Sequence, residues 1–434
     1  MFQDVVPPRR RRPKPKSIER SEEPAELPMV VDAPDQVPFK TPEETAAEDV
    51  RVTSTATTPD TPQSSKKRFR IWRPHGRKQW IITAVTAAIL VVAGGGTAWA
   101  LTRHTQPAPV AQKPVIKKAS PPKPIYSDLS GLPITDPSLN SKPVTAVMIE
   151  NSTDARPQSG LSQAGIVFEA QAEGGITRFM ALYQDTAPDN VGPIRSARPY
   201  YIQWALGFDA AYAHVGGSPD ALSDIGSWGV QDMNQFYNGN YYHRITTRAA
   251  PHNVYTGIST LNQLESSKGY TSTFTGFPRA ASQQAISQPT ASSIDLAVSS
   301  ALYNPHYDFD PTTNTYKRST DGTPDTDANT GQQLAPTVVI AIVVPLSQGA
   351  LDASGAYYSD YNVIGTGTAY VFQNGGVTVG EWHKASNTDQ ITFTDNNGTT
   401  VPLNRGQTWI TAVSAASQVS YKGTAAPSSS TTTH

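Results

Sequence analysis

Residues 166–185 read IVFEAQAEGGITRFMALYQD, two β-type runs joined by a pair of glycines. Runs 166–173 and 176–185 contain several β-branched and aromatic residues, which favour strands. A two-residue Gly-Gly loop between such runs is typical of a β-hairpin, because glycine adopts the positive φ angles that the tight turn requires. The sequence therefore predicts an antiparallel hairpin over this stretch.

Polar side chains in this hairpin form the first candidate site. With a two-residue loop, Glu173 faces Ile176 and Gln171 faces Arg178. Alternate residues of a strand share a face, so Glu169 is predicted to converge with these polar side chains. One interpretation is a catalytic group, with Glu169 or Glu173 as acid or base and Arg178 holding an anion. The other is a solvent-facing side of the hairpin with cross-strand ion pairs.

The second candidate site follows the hairpin in the sequence GPIRSAR at 192–198. Residues 196–211 suit a helix with Ser196 as its N-cap. Arg195 and Arg198 then lie at the helix start, where positive charge is unfavourable. Binding of a ligand anion would explain both arginines, and pairing with nearby aspartates would explain them equally.

The third candidate site is the sequence HVGGSP at 214–219, where a strand is predicted to end and a helix to begin. Gly216, Gly217 and Ser218 could bind an anion through backbone N–H groups. His214 could act there as a general base or a hydrogen-bond donor. Ser218 fits the role of helix N-cap better than that of nucleophile, because proline follows it and the G-x-S-x-G pattern is absent.

A loop with the sequence RAAPHNVY at 248–255 is the fourth candidate. Arg248, His252 and Asn253 suit a binding site, and they equally suit a loop that satisfies its own backbone. The eight histidines are scattered without a metal-binding spacing, so we expect neither a metal nor a cofactor. Residues 325–331 imitate a calcium loop, but the glycine is misplaced and Pro336 stands where the final glutamate should be, which indicates an Asx-rich turn.

Residues 80–101 read WIITAVTAAILVVAGGGTAWAL, 22 residues without a charge. As a helix this stretch would span roughly 33 Å, enough to cross a hydrocarbon core of roughly 30 Å. Basic residues are dense just before it and sparse after it. The positive-inside rule therefore predicts a single-pass membrane protein with a cytoplasmic amino terminus and an extracytoplasmic carboxy terminus.

Composition narrows the possible functions. The chain has 434 residues and no cysteine, which excludes disulfides, thiol catalysis and lipid attachment to cysteine. Residues 1–79 hold 16 Lys and Arg against 12 Asp and Glu, whereas the remainder holds 19 against 24. An acidic outer part argues against a nucleic-acid partner and leaves the cytoplasmic membrane as the predicted partner of residues 80–101.

These patterns predict seven segments along the chain. They are a disordered cytoplasmic tail (1–79), a transmembrane helix (80–101), a Pro/Lys-rich stalk (102–125), an amino-terminal domain (126–265), a linker (266–299), a carboxy-terminal domain (300–416) and a disordered tail (417–434). The predicted fold class is an α/β amino-terminal domain, a mixed sheet with flanking helices, followed by a β-rich carboxy-terminal domain.

The outer part resembles the YerB-like family of bacterial envelope proteins, a two-domain family of unknown function. The motifs that carry this resemblance, spread over about residues 125–415, are EN at 150–151, DARPQSGL at 154–161, AEGGITRF at 172–179, GPIRSAR at 192–198, HVGGSP at 214–219, RAAPHNVY at 248–255, GEWHK at 380–384 and GQTWI at 406–410. The resemblance implies the two-domain fold and a place outside a bacterial cytoplasmic membrane. YerB-type members are lipoproteins held by a lipidated cysteine. This chain has no cysteine, so its predicted helix must replace that anchor.

Two functions fit these observations. The first is a cell-envelope binding module for an anionic or polymeric ligand, with a cell-wall polymer, a peptide or an envelope protein as its partner. The second is a hydrolase or transferase in which Glu169, Glu173 and His214 move protons. In that case Arg178, Arg195 and Arg198 would hold an anionic substrate group. The absence of a complete nucleophile–base motif or metal motif in the sequence favours the binding module.

Overall fold

A computed structural model describes residues 123–281, 283–352 and 354–424 of the chain. The predicted tail 1–79, the predicted transmembrane helix 80–101 and nearly all of the predicted stalk lie outside these residues. Among the helices of the described part, none combines the length and the apolar character needed to cross a bilayer.

The described residues form many strands and few helices. The α-helices are α1 (Pro199–Leu206), α2 (Pro219–Ser227) and α3 (Ile258–Lys268). The strands up to residue 300 are β1 (Ile125–Tyr126), β2 (Pro133–Ile134), β3 (Thr145–Glu150), β4 (Ile166–Glu173), β5 (Ile176–Tyr183), β6 (Ala211–His214), β7 (Gln231–Asn234), β8 (His243–Arg244), β9 (Val254–Tyr255) and β10 (Ser293–Leu296). The later strands are β11 (Pro305–Asp310), β12 (Thr315–Thr320), β13 (Thr323–Pro324), β14 (Val338–Val343), β15 (Leu346–Leu351), β16 (Tyr357–Tyr361), β17 (Gly365–Gln373), β18 (Gly376–Lys384), β19 (Thr392–Asp395), β20 (Thr408–Val413) and β21 (Val419–Lys422).

A mixed sheet of 12 strands runs through both halves of the chain. Its main order is β19-β18-β17-β14-β20-β4-β5-β3-β6-β7, and the β15–β16 hairpin joins it at β4. The predicted β4–β5 hairpin is confirmed, with Glu173 paired to Ile176 across the glycine turn. Strand β20 lies parallel to β4, so the β-rich carboxy-terminal half extends the same sheet.

Two apolar cores pack on opposite faces of this sheet, because alternate residues of each strand point to opposite sides. On the first face, Phe168 of β4 stacks on Trp204 of α1, with ring centroids 5.0 Å apart. On the second face, Phe179 of β5 meets Trp409 of β20 edge to face at 5.2 Å. Helix α3 and the five-stranded sheet β13-β12-β11-β10-β21 contribute to this second core.

From β14 to β7, six of the seven strands of the large sheet run in one direction, and their carboxyl ends meet at one border. Strands β14, β20 and β4 are parallel, β5 reverses the direction, and β3, β6 and β7 restore it. We call this border the carboxyl edge; it includes Glu150, Glu173 and His214 at the ends of β3, β4 and β6. Ligands of α/β sheets bind outside the carboxyl ends of parallel strands.

Three local expectations need correction. Helix α1 begins at Pro199, and Arg198 rather than Ser196 is its N-cap. The residue before a proline disfavours helical backbone, and Arg198 is accordingly extended, with a φ of −137°. Residues 419–422, expected in a disordered tail, form β21, which pairs with β10. Strand β10 in turn lies inside the expected linker 266–299. Both segments pair within the five-stranded sheet, where β21 forms one edge and β10 lies next to it.

Candidate functional site

A register shift separates the polar residues of the β4–β5 hairpin. Glu173 pairs with Ile176 as expected, but Gln171 pairs with Thr177 instead of Arg178. The shift lies between Gln171 and Glu173, where a bulge places one extra residue on β4. Glu169 therefore faces the second core, whereas Glu173 and Arg178 lie on the first face. The predicted convergence of Glu169 with the others is wrong.

Glu173, Arg178 and Arg198 form one buried group, which we call the Glu173 cluster. Glu173 Oε1 accepts from Arg178 Nη2 at 2.5 Å, and its Oε2 accepts from Arg198 Nη2. The remaining guanidinium contacts are backbone carbonyls, including Ser196 O at 2.9 Å from Arg178 Nη1. Burial raises the pKa of Glu173, but the charges of the two arginines outweigh burial and leave the pKa below its ordinary value. This cluster is occupied by its own internal ion pairs.

Glu169 belongs to a second buried group, the Glu169 cluster, with Arg318 and Asp325. Glu169 Oε1 accepts from Arg318 Nη2 at 2.9 Å, and Trp409 Nε1 donates to its other oxygen at 2.9 Å. Arg318 also pairs with Asp325. Burial raises the pKa of Glu169, and the charge of Arg318 opposes that rise. Glu169 is fully buried, so the cluster links the two halves of the chain rather than facing solvent.

His214 is also fully buried, at the end of β6. Its Nδ1 lies 2.7 Å from Gly216 O and its Nε2 lies 2.8 Å from Asp232 Oδ1. Both ring nitrogens therefore lie against oxygen atoms of the protein rather than facing solvent. His214 therefore fixes the loop that follows it.

The glycine loop after His214 uses its backbone groups internally. Gly216 N donates to Asn234 Oδ1 at 3.2 Å, and Ser218 N donates to Ala197 O at 3.3 Å. Ser218 Oγ accepts from Ala221 N, so Ser218 is the N-cap of α2, as predicted. Gly217 forms a bridge with Ala197. Hydrogen bonds hold this loop against the 192–198 segment. They leave few backbone N–H groups free to bind an anion.

Two candidate residues of the 248–255 loop, Arg248 and Asn253, bind other groups of the protein. Arg248 donates to the carbonyls of Ala155 and Pro157, the latter at 2.7 Å from its Nη2. Asn253 Oδ1 accepts from Arg244 Nη1 at 2.6 Å. Both side chains fix loop geometry at the carboxyl edge.

The remaining candidates, Arg195 and His252, meet at a residue that the sequence analysis did not single out. Glu150 ends β3, and its Oε1 lies 2.9 Å from His252 Nδ1, 2.8 Å from Ser152 Oγ and 3.2 Å from Arg195 Nε. We call these four residues the Glu150 cluster. The acidic residue at a strand end, beside Asn151 in a family motif, was the available signal. Its partners, about 45 and 102 residues away, were not readable from the sequence.

The Glu150 cluster differs from the other two in having unfilled hydrogen-bonding capacity beside solvent. Glu150 Oε2 is buried and has no partner among the described residues. The Nη1 and Nη2 groups of Arg195 donate to no described residue, and the Arg195 side chain is 25% exposed. His252 is 21% exposed. The cluster can therefore offer the cationic donors of Arg195 to an anion from solvent.

Ser152 and His252 do not form a nucleophile–base pair in this arrangement. Ser152 Oγ lies 3.3 Å from His252 Nδ1, but that nitrogen also faces the Glu150 carboxylate at 2.9 Å. A nitrogen that donates to a carboxylate cannot take the serine proton. Within the described residues, no group of three or more His, Cys, Asp or Glu side chains is arranged to hold a metal ion.

Comparisons with known proteins agree with the predicted resemblance. Residues 129–271 match the family model described as "Protein of unknown function (DUF3048) N-terminal domain", and residues 294–410 match its C-terminal counterpart. A curated protein of Bacillus subtilis (strain 168) named "Putative lipoprotein YerB" is 34% identical over 296 residues, covering 67% of this chain and 87% of that protein. The crystal structure of YerB from Bacillus subtilis superposes with a TM-score of 0.60 at 31% identity, covering 68% of this chain and 99% of the other.

Proposed function

The chain belongs to the two-domain DUF3048 family, and from this membership and the geometry of the carboxyl edge we propose that it is an extracytoplasmic binding module anchored in the cytoplasmic membrane. Its ligand is an anionic group of a cell-envelope component, and it binds at the Glu150 cluster. The lipoprotein name of the relative supports a place outside the membrane.

The proposal rests on the partly exposed side chain of Arg195, whose guanidinium group has donors left for a ligand. Arg178 and Arg198 are buried and paired with Glu173, so their charges are already used. Arg195 has one carboxylate contact through Nε, while Nη1 and Nη2 are unpaired among the described residues and the side chain reaches solvent. A planar guanidinium with two free nitrogens suits a carboxylate or a phosphate.

Binding to a defined polyanion tests the proposal. Full-length protein in detergent is titrated with poly(glycerol phosphate), and in parallel with soluble glycan–peptide fragments, to separate phosphate from carboxylate ligands. We expect saturable binding to one of them, which Arg195→Gln weakens about tenfold, the loss expected for a charge-assisted hydrogen bond. Lys317→Gln removes the same charge from an exposed strand position and serves as the matched control. Equal weakening by both variants, or no binding by the unmodified protein, would overturn the proposal.

A single-pass helix over residues 80–101 is the anchor in this proposal, because the chain has no cysteine to carry a lipid. Protease added to intact cells should remove the region after residue 102 and spare residues 1–79. Digestion of the amino-terminal tail in intact cells would refute this topology.

A further inference from the structure

A cavity of about 360 Å³ lies beside the loop that follows β3, and the function proposed above does not use it. One wall comes from residues 153–158 of the amino-terminal family region. The other wall comes from residue 302 and residues 320–326, around the β12–β13 turn in the carboxy-terminal region. Its volume lies at the small end of the range for small-molecule sites. Both family regions are therefore needed to build it.

Arg156 supplies a positive charge to the first wall. Its guanidinium donates only to neutral oxygens: Asn151 Oδ1 at 2.9 Å from Nε, and Asn151 O and Leu302 O at 3.2 and 2.7 Å from Nη2. Nη1 donates to no described residue, and the guanidinium lies 5.3 Å from the centre of the Tyr303 ring. The carboxylates that act on Arg156 from a distance, Asp325 and Glu169, both pair with Arg318.

Asp321 supplies a negative charge to the opposite wall. It occupies the turn between β12 and β13 with a φ of 51°, and its carboxylate has no hydrogen-bond or ion-pair partner among the described residues. Thr153 and Thr323 also line this cavity, and their hydroxyl groups have no hydrogen-bond partner among the described residues. The lining of the cavity therefore includes one cation and one anion that form no ion pair with a described residue, one from each family region, together with hydroxyl groups.

We propose that this cavity binds a small zwitterion, a free amino acid or a short peptide with both ends free. The carboxylate lies against Arg156 Nη1, and the ammonium group lies toward Asp321. Guanidinium–carboxylate pairing and ammonium–carboxylate pairing fix the two ends of the ligand, and the threonine hydroxyls bind the polar groups between them.

Calorimetric titration of the full-length protein with the dipeptide Ala-Ala tests this site. We expect saturable binding that is weakened about tenfold by amidation of the dipeptide carboxylate and about tenfold by acetylation of its amine, since each change removes one ion pair. Asp321→Asn should reduce affinity for Ala-Ala but not for the acetylated dipeptide. Asparagine tolerates the positive φ of this turn, so this variant is expected to fold.

Arg156→Gln should reduce affinity for Ala-Ala but not for the amidated dipeptide. Because Arg156 also binds Leu302 O, the Asp321 variant keeps the test informative if Arg156→Gln unfolds. Arg195→Gln should leave Ala-Ala binding unchanged, which separates this site from the Glu150 cluster. No saturable heat with Ala-Ala, or equal affinity for the dipeptide and both blocked forms, would overturn the proposal.

Discussion

Glu265 on α3 provides the sharpest quantitative prediction for stability. Its side chain is 1% exposed, and burial raises its pKa from 4.5 to about 7, against the opposing hydrogen bond that Thr145 Oγ1 donates to its Oε1 at 2.6 Å. Between these two pH values the folded protein holds a proton that the unfolded chain has released. The free energy of unfolding therefore falls as pH rises through this window.

The substitution Glu265→Gln removes the titration while keeping an oxygen to accept from Thr145. The Asn262 amide lies 3.1 Å from Glu265 Oε2 and can turn its oxygen toward the new amide nitrogen. The rise in the pKa of Glu265 from 4.5 to about 7 lowers the free energy of unfolding by about 3 kcal/mol at pH 8 and about 1 kcal/mol at pH 5. We therefore expect the variant to be more stable by up to these amounts.

Urea unfolding of the full-length protein at pH 5 and pH 8, followed by tryptophan fluorescence, measures both differences. Glu381→Gln is the matched control, because the Glu381 side chain is 61% exposed and a surface change of this kind alters stability by less than about 0.5 kcal/mol. A Glu265→Gln variant that is less stable than the unmodified protein at pH 8, or equally stabilised at both pH values, would refute the reasoning.

Three further predictions concern the stability of the fold. Arg198→Ala should lower the free energy of unfolding by about 3 kcal/mol in urea titrations, because it leaves Glu173 with one of its two cationic partners in a buried site; unchanged stability would mean that Arg198 serves a ligand instead. Gly380→Ala should destabilise by about 2 kcal/mol or more in calorimetry, because a Cβ there overlaps Thr394 O on the neighbouring strand. The same change at Gly226 in α2, where a Cβ meets nothing within 4 Å, should stabilise by about 0.5–1 kcal/mol, and a loss there would contradict the helix assignment.

Local signals in the sequence predicted much of the fold. The Gly174–Gly175 turn, the strand before His214 and the Ser218 cap each depend on neighbouring residues, and the structure confirms each. The bulge in β4 was not predictable from neighbouring residues, because it lies between Gln171 and Glu173 without a glycine at that point. The packing of the whole sheet determines which residue of β4 is left unpaired. That one shift moved Glu169 away from Glu173.

The candidate site was less predictable because its contacts are long-range. Arg318 and Glu169 are 149 positions apart, and His252 and Glu150 are 102 positions apart. Residue types alone could not show that Arg198 is internal while Arg195 reaches solvent. For Glu150, the direction of the six parallel strands was the missing information, since it brings the end of β3 to the same edge as the ends of β4 and β6.

The central claim is that Arg195 faces the ligand while Arg178 and Arg198 are held inside the protein. Arginine-specific modification with phenylglyoxal, quantified for each residue by mass spectrometry with and without saturating poly(glycerol phosphate), tests it most directly. The account predicts that Arg195 is modified in the free protein and protected by the polymer, with Arg178 and Arg198 unmodified in both samples. Modification of Arg195 that the polymer leaves unchanged, or rapid modification of Arg178 or Arg198 in the folded protein, would contradict it.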